Sequence, residues 1–168
     1  MWGYDSFMTA DVPWLDRDEL ASWIPFSAMM STLQAALDAQ LKRDSGINVF
    51  EYYVMAALSE APGRRMRMSQ LAVFAQGSLS RLSHAVSRLE RSGWVERSPS
   101  KDDPRATDAH LTSAGLRKVK EAAPGHVREV RRLVLDPLGP RFAALGRISR
   151  EVLAATSPEI ADEVASRT

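Results

Sequence analysis

The 168-residue sequence contains no cysteine, which excludes a disulfide framework, a thiolate metal site, a cysteine nucleophile and a thiol-based redox sensor. It has no apolar run approaching the roughly 20 residues that a membrane span needs. Glycine and proline are few, at 9 each, while apolar residues make up 45% and charged residues 26%. This balance excludes collagen-like and low-complexity chains and indicates a folded domain large enough to bury a core.

Signals for export and for enzymatic chemistry are also lacking. Residues 1–18 have no basic stretch followed by an apolar one, which is the pattern of a secretory leader. No glycine-flanked nucleophile, paired carboxylates or phosphate-binding glycine loop is present. His84, His110 and His126 have no second ligand at metal-binding spacing. We therefore expect a cytoplasmic protein that is not an enzyme, uses no cofactor or metal ion and has no membrane partner.

The net charge of +1 hides an uneven distribution of charge along the chain. Residues 1–60 hold three basic and nine acidic residues, residues 61–110 nine basic and five acidic, and residues 111–168 ten basic and seven acidic. The segments therefore carry net charges of −6, +4 and +3. A basic middle segment favours a polyanionic partner. The same counts also fit ordinary solvated charge.

Apolar residues recur at helical spacing ahead of the basic segment. Asp16 and Glu19 have the pattern of a capping box at the start of a long helix, which Pro25 is expected to bend or interrupt and Gly46 to end. The capping pattern repeats at residues 48–51 and predicts a second helix. The apolar stripe of the long helix consists of Trp23, Phe26, Met30, Leu33, Leu37 and Leu41.

Two further amphipathic helices are expected after the basic segment. Thr112 caps the first of them, and residues 139–140 (Gly-Pro) open the second. The apolar residues of the terminal helices exceed what one small core can bury, and we interpret the surplus as a dimer interface. The residues expected to face inward are Leu116, Val119, Ala123, Val127, Val130, Val134 and Leu138 on the first helix and Phe142, Leu145, Ile148 and Val152 on the second.

The basic middle segment has the pattern of a helix-turn-helix. After an extended segment at residues 65–68, Ser69 is expected to cap a short helix that ends at Gln76-Gly77. Ser78 is expected to cap the next helix. The buried stripe expected on this next helix consists of Leu82, Ala85, Val86 and Leu89.

Two short strands, at residues 94–98 and 106–111, are expected to follow. The segment between them is rich in turn-forming residues and carries Lys101 and Arg105. A hairpin directly after a helix-turn-helix is a wing, and a basic wing fits the minor groove of DNA.

The helix after Ser78 has one face suited to nucleic acid. A rotation of about 100° per residue places this face opposite the buried stripe. Short hydroxyls near a helix N-terminus contact phosphates and base edges, and arginine binds guanine bidentately. These features predict DNA binding; the alternative is a winged-helix module that binds a protein, with the arginines as solubility charge. The predicted DNA contacts are Ser69, Ser78, Ser80, Arg81, Ser83, His84, Ser87, Arg88, Lys101 and Arg105.

Five segments have a distinctive order and spacing: residues 67–72 (RMSQLA), 78–83 (SLSRLS), 86–95 (VSRLERSGWV), 103–105 (DPR) and 111–115 (LTSAG). They resemble the motifs of the MarR family of bacterial transcriptional regulators. Helices are expected to flank this stretch on both sides, as they do in that family. The Asp-x-Arg wing with its Leu-Thr-x-x-Gly sequel is the most specific part of the resemblance.

The resemblance implies a mainly α, winged helix-turn-helix fold with a small β-hairpin wing, in a single domain spanning residues 1–168. About residues 46–112 would form the DNA-binding lobe, and about residues 14–45 and 112–168 the dimerisation helices. It also implies a homodimeric regulator, usually a repressor, that binds a palindromic operator in double-stranded DNA. The helix that begins after Ser78 would enter the major groove.

The resemblance further implies that Arg105 enters the minor groove or anchors the phosphate backbone, and that Asp103 orients this arginine. In that family, small ligands that are often aromatic bind between the dimerisation region and the DNA-binding lobes and commonly weaken operator binding. The absence of cysteine excludes peroxide sensing of the kind found in one branch of the family. Aromatic and methionine residues at helical spacing are typical of a core, but they also give a candidate effector pocket. The residues of this candidate pocket are Trp23, Phe26, Met30, Tyr53 and Met68.

Overall fold

The computed structural model describes residues 12–75, 77–100, 103 and 105–166, and it divides into two compact units after Ala36. It confirms the mainly helical fold with a small antiparallel sheet that the sequence predicts. The helices are α1 (Arg17–Ser45), α2 (Val49–Glu60), α3 (Met68–Phe74), α4 (Leu79–Arg91), α5 (Ser113–Val130), α6 (Asp136–Leu138), α7 (Phe142–Thr156) and α8 (Pro158–Ser166), and the strands are β1 (Arg65–Arg67), β2 (Val95–Pro99) and β3 (Thr107–Leu111).

The first two helices begin at the capping boxes that the sequence predicts. Asp16 Oδ1 accepts the backbone amide of Glu19 at 2.8 Å, and Glu19 Oε2 accepts that of Asp16 at 2.8 Å. Asn48 and Glu51 repeat the arrangement at 2.8 and 3.0 Å. Pro25 lies inside a continuous α1, so an interruption there is wrong, and the alternative expectation of a bend stays a prediction. A proline removes one backbone donor, and the hydrogen bonds of its neighbours continue the helix.

The strand β1 leads into α3 without a capping serine. The helix begins at Met68, and no side chain caps it, so the expected cap at Ser69 is wrong. The side chain of Met68 is buried. The helix therefore begins two residues earlier than a cap at Ser69 would place it, and Ser69 lies exposed within the first turn.

The turn between α3 and α4 packs closely on α2. The backbone amide of Gly77 donates to the carbonyl of Ala72 at 3.0 Å, which satisfies a carbonyl at the end of α3. A Cβ atom on Gly77 would lie 2.6 Å from Cε2 of Phe50, so only glycine fits here. Ser78 caps α4 as expected. Gln76, predicted to end α3 together with Gly77, lies outside the described residues.

Three strands of the described chain form one antiparallel sheet in the order β1-β3-β2. β2 and β3 make the expected hairpin, with Val95 opposite Leu111. β1, which the sequence predicts only to be extended, pairs with the other edge of β3, so that Arg65 lies opposite His110. The start of α3 and the base of the wing are therefore joined by backbone hydrogen bonds.

The inward faces of α5 and α7 differ from the sequence-based expectation. Val127 on α5 is 52% exposed, and Phe142, Ile148 and Val152 on α7 are exposed as well. Periodicity identifies residues that share a helix face, but it does not determine whether that face packs within the same chain. The buried residues of α5 are Gly115, Val119, Ala122 and His126.

Gly115 lies in the first turn of α5, beside the hairpin. Thr112 caps this turn as expected, with its Oγ1 accepting the Gly115 amide at 3.0 Å. A Cβ atom on Gly115 would overlap the carbonyl oxygen of Trp94 and lie 2.6 Å from Cδ1 of Leu111. The helix and the hairpin therefore approach each other more closely than any residue larger than glycine at position 115 would permit.

We expect Gly115→Ala to lower the free energy of unfolding by about 1–3 kcal/mol, because backbone cannot rotate away from the added methyl group. Urea denaturation followed by circular dichroism measures this change. Gly146→Ala on α7 is the matched control, since its Cβ would meet only the end of the Arg150 side chain, at 3.7 Å. Equal stabilities of the two variants would contradict the expectation.

Candidate nucleic-acid interface

The helix α4 separates its apolar and polar residues onto opposite sides, as the sequence predicts. The apolar side packs into the core, and the other side faces solvent. The four residues of the predicted stripe, Leu82, Ala85, Val86 and Leu89, are each 1% exposed or less. The exposed residues of the opposite face are Ser80, Arg81, His84, Arg88 and Arg91.

The side chain of Arg81 is held over an aromatic ring. Its Cζ atom lies 4.2 Å from the ring centroid of Phe50, which is buried at the start of α2. A cation–π contact of this kind fixes the plane of the guanidinium and leaves its edge donors free. Arg81 therefore presents a positioned, planar guanidinium on the exposed side of α4.

Arg81 lies in a groove of about 550 Å³, here called the α4 groove. Its one aspartate, Asp38, is already paired, because Lys42 Nζ lies 2.7 Å from Oδ2 and the Val49 amide donates to Oδ1 at 3.0 Å. The hydrogen bond from Lys42, followed by that from Val49, lowers the pKa of Asp38 against the opposing effect of burial. The groove therefore has a positively charged lining, in which Lys42 is paired with Asp38 and Arg81 forms no ion pair with another described residue. Its lining consists of Asp38, Lys42, Asn48, Phe50, Ser78, Ser80, Arg81, His84 and Arg88.

Arg88 lies on the same face but also forms an ion pair within the protein. Its Nε donates to Glu51 Oε1 at 2.6 Å, while Oε2 of Glu51 accepts the amide of Asn48. The Glu51 side chain is nearly buried, so the pairing offsets the cost of removing its charge from water. The ion pair joins α4 to the start of α2. The Arg88 side chain is 46% exposed, and its contact with DNA stays a prediction.

Ser87 is the predicted contact that the geometry favours least. Its side chain is half-buried, and its hydroxyl donates to the carbonyl of Ser83 at 2.9 Å and accepts from Arg97 Nη2 at 3.1 Å. Arg97 also pairs with Glu90 at 2.5 Å. Arg97 was not among the predicted contacts, although its place in a strand of the basic wing is a signal that could have identified it.

A second groove, of about 440 Å³ and here called the wing groove, lies between α4 and the wing. It brings together three predicted DNA contacts, Ser69, Ser83 and Arg105. It also contains Met68, which the sequence analysis assigned to an effector pocket. The residues that line it are Arg67, Met68, Ser69, Leu79, Ser83, Arg97, Arg105, Ala106 and Thr107.

The turn of the wing is held by Asp103. Its Oδ1 accepts the backbone amide of Arg105 at 3.0 Å, and its carbonyl accepts that of Ala106 at 2.9 Å. The Ser100 amide donates to the Ala106 carbonyl at 2.9 Å and closes the hairpin. Asp103 thus orients the backbone of Arg105, whose side chain is exposed. Lys101, the other basic residue predicted at the tip, lies outside the described residues.

The five residues predicted for an effector pocket are divided between the two units. Trp23, Phe26 and Met30 lie along α1 in the first unit, and the ring centroids of Trp23 and Phe26 are 6.0 Å apart. Tyr53 is half-buried on α2 in the second unit, and Met68 lines the wing groove. A pocket formed by all five stays a prediction.

Two polar side chains that the sequence did not predict to be buried lie in the core. His126 on α5 packs against Tyr52 and Tyr53, with ring centroids 4.6 and 6.0 Å away. Gln40 on α1 is also buried, and its Nε2 donates to Asp44 Oδ2 at 2.9 Å. Nδ1 of His126 and Oε1 of Gln40 have no hydrogen-bond partner among the described residues. A single histidine in an amphipathic pattern carries no sequence signal for burial.

We expect the free energy of unfolding to fall as the pH decreases below about 6.5. Burial lowers the pKa of His126 from that ordinary value. The unfolded chain therefore binds a proton at a pH at which folded His126 is still neutral, so acid favours unfolding by up to about 1.4 kcal/mol per pH unit. Urea denaturation of the wild type and His126→Phe between pH 7.5 and 5.5 measures the effect. As the pH falls, the free energy of unfolding of the wild type should decrease relative to that of the variant. A difference between the two that does not change with pH would contradict the expectation.

The described residues hold neither a metal-ligand cluster nor a membrane-spanning helix. No three His, Asp or Glu side chains among them converge as ligands for a metal ion. None of the helices in this part of the chain is long and apolar enough to cross a membrane. What these residues do present is a basic face on α4 and a groove beside the wing.

The amino-acid sequence matches one known family. The sequence model of the MarR family matches residues 45–106, which include α2, α3, α4 and the start of the wing. No curated protein matches the chain.

Among solved structures of this fold, Sco3205, a MarR family transcriptional regulator from Streptomyces coelicolor in complex with DNA, is 41% identical over 86% of this chain and 91% of that chain, with a TM-score of 0.83. AbsC, a MarR family transcriptional regulator from the same organism, is 34% identical over 92% and 99%, with a TM-score of 0.75. The PcaV transcriptional regulator, also from Streptomyces coelicolor, in complex with its natural ligand, is 23% identical over 87% and 100%, with a TM-score of 0.70, and shows a shared fold alone. The identities to Sco3205 and AbsC, which extend over nearly their whole lengths, establish that this chain belongs to the MarR family of transcriptional regulators.

Proposed function

We propose that this protein regulates transcription by binding operator DNA, with α4 in the major groove and the wing against the adjacent backbone or minor groove. The observation that carries the proposal is the exposed basic face of α4, on which the Phe50 ring holds Arg81 in place. The N-terminal residues of a recognition helix contact base edges, and arginine reads guanine through two hydrogen bonds. The complex of the similar protein Sco3205 with DNA supports the same function.

The proposed contacts lie on α4 and its cap, on the wing and, in the case of Ser69, on α3. Residues on α4 and at its N-terminus would read bases and bind nearby phosphates, whereas Arg105 on the wing would bind the backbone or minor groove. Ser87 contributes least, because its hydroxyl is occupied within the protein. The other proposed contacts are Ser69, Ser78, Ser80, Arg81, Ser83, His84 and Arg88, together with Lys101 on the wing.

The protein is proposed to act as a homodimer on a palindromic operator. Exposed apolar side chains support this, with Trp23 and Ile24 on α1 and Phe142, Ile148 and Val152 on α7. Exposed apolar surface of this kind marks an interaction site, and a second copy would cover it. About residues 14–45 and 112–168 would then form the dimerisation helices, and about residues 46–112 the DNA-binding lobe. Two such lobes would read the half-sites of the operator, and occupation of the operator would repress transcription.

A small aromatic effector is the third part of the proposal. The adjacent rings of Trp23 and Phe26 support it, because they offer an aromatic surface on the first unit. An effector that weakens operator binding must bind the DNA-incompetent form more tightly, since equal affinity for both forms shifts nothing. Titration of the DNA-bound protein with a series of phenolic acids would detect release of labelled operator.

A winged-helix module that binds only a protein is not favoured. Such a module needs no arginine oriented outward from α4, whereas the contact between Arg81 and Phe50 provides one. Catalysis is not part of the proposal, because the face consists of binding groups. A regulator of this type would act in the cytoplasm.

The experiment that tests the proposal is selection of bound duplexes from random DNA by the full-length protein, followed by footprinting upstream of its own gene. We expect enrichment of a palindrome whose half-sites lie about one helical turn apart. Retention on heparin without sequence enrichment would indicate charge alone and would overturn the proposal. The selected palindrome is called the operator below.

A further inference from the structure

One leucine of α4 departs from the pattern of the others. Leu82 and Leu89 are 1% exposed or less, whereas Leu79 is 55% exposed. An exposed leucine is common on a protein surface. It is unusual at the front of a helix whose outward face is otherwise serine, histidine and arginine.

The position of Leu79 brings it close to where bases would lie. It is the first residue of α4, directly after the cap Ser78. Helical side chains lean towards the N-terminus, so the Leu79 side chain extends past the end of α4 that would enter the major groove of DNA. It lines the wing groove together with Ser83 and Arg105, which are proposed DNA contacts.

The chemistry of a leucine restricts what it can read. Its side chain forms no hydrogen bond, and it gains nothing from a phosphate or from the donor and acceptor atoms of the base edges. The major-groove edges of the four bases carry one apolar group, the C5-methyl of thymine. Contact between that methyl group and a leucine removes apolar surface of both partners from water.

We propose that Leu79 is a specificity-determining residue that recognises the C5-methyl group of a thymine in each half-site of the operator. The inference rests on the proposed function, since it needs α4 in the major groove. Leu79 selects thymine over cytosine at that position, and the serines and arginines of α4 make the polar contacts around it.

The test replaces single thymines of the operator by deoxyuridine, which removes the methyl group and leaves the hydrogen-bonding edges unchanged. One thymine position in each half-site should respond. The wild type should bind about fourfold more weakly when uracil replaces that thymine in one half-site, and about fifteenfold more weakly when it replaces it in both. Leu79→Ala should bind the thymine and uracil duplexes equally. Leu79→Met, which keeps an apolar side chain of similar volume, should retain most of the discrimination.

Arg81→Ala is the matched control, because it should lower affinity while leaving the thymine-to-uracil ratio at this position unchanged. Uracil without effect at every position, or the same ratio in Leu79→Ala as in the wild type, would overturn the assignment of Leu79 while leaving operator binding intact. If the wild type enriches no DNA, the proposed function fails and the inference fails with it. Thermal denaturation should show Leu79→Ala folded like the wild type, since the side chain is largely outside the core.

Discussion

Replacing Arg81 by alanine is expected to weaken binding to the operator by roughly 1–3 kcal/mol in each half-site. The guanidinium is held over the Phe50 ring, and in the proposed complex it makes two hydrogen bonds with a guanine edge. Alanine leaves those acceptors unpaired in the interface. DNA of scrambled sequence offers no such contact, so the loss there should be much smaller. Titration of labelled duplexes of both sequences at one salt concentration measures the two losses.

Two further variants distinguish base reading from simple charge. Arg81→Lys keeps the charge but lacks the planar fork, so it should recover little of the operator affinity. Arg91→Ala removes an exposed arginine of α4 that lies outside the α4 groove, and any loss should be equal on both duplexes. Equal losses on operator and scrambled DNA for Arg81→Ala would contradict a specific contact.

The exposed basic face of α4 could be predicted because it depends on local rules. The cap Ser78 and the stripe containing Leu82 and Leu89 fix where α4 begins and which side is buried. Once that side is known, Arg81 and His84 must face outward. The hairpin was predictable for the same reason, because turn residues separate two short strands.

Contacts between distant segments could not be predicted in this way. Glu51 binds Arg88 across 37 residues of sequence, and the pairing of β1 with β3 likewise depends on the folded arrangement. On α5, periodicity predicts that Val127 is buried, whereas the structure buries the adjacent His126 and leaves Val127 exposed. Hydrophobic spacing fixes which residues share a face, whereas the packing partner decides which of two neighbouring faces is buried.

Affinity for the operator is expected to fall about a thousandfold or more when the salt concentration rises from about 50 to about 200 mM. Each cation that neutralises a phosphate releases a counterion, and added salt opposes that release. The exposed cations of the α4 groove and the wing, present twice in a dimer, supply enough contacts for a steep dependence. Titrations of the operator at a series of salt concentrations give the slope of log affinity against log salt.

Arg105→Ala tests whether the wing contributes to that slope. If each subunit anchors one phosphate through Arg105, the slope should become less steep by about 2, because each lost contact removes about 0.9. The Asp103 hydrogen bond to the Arg105 backbone amide does not involve the side chain, so the wing turn should keep its shape in the variant. Arg131→Ala, which removes an exposed arginine after α5, should leave the slope unchanged. A slope for Arg105→Ala equal to that of the wild type would mean that the wing arginine does not neutralise the DNA backbone, and the salt dependence would then come from the other proposed contacts.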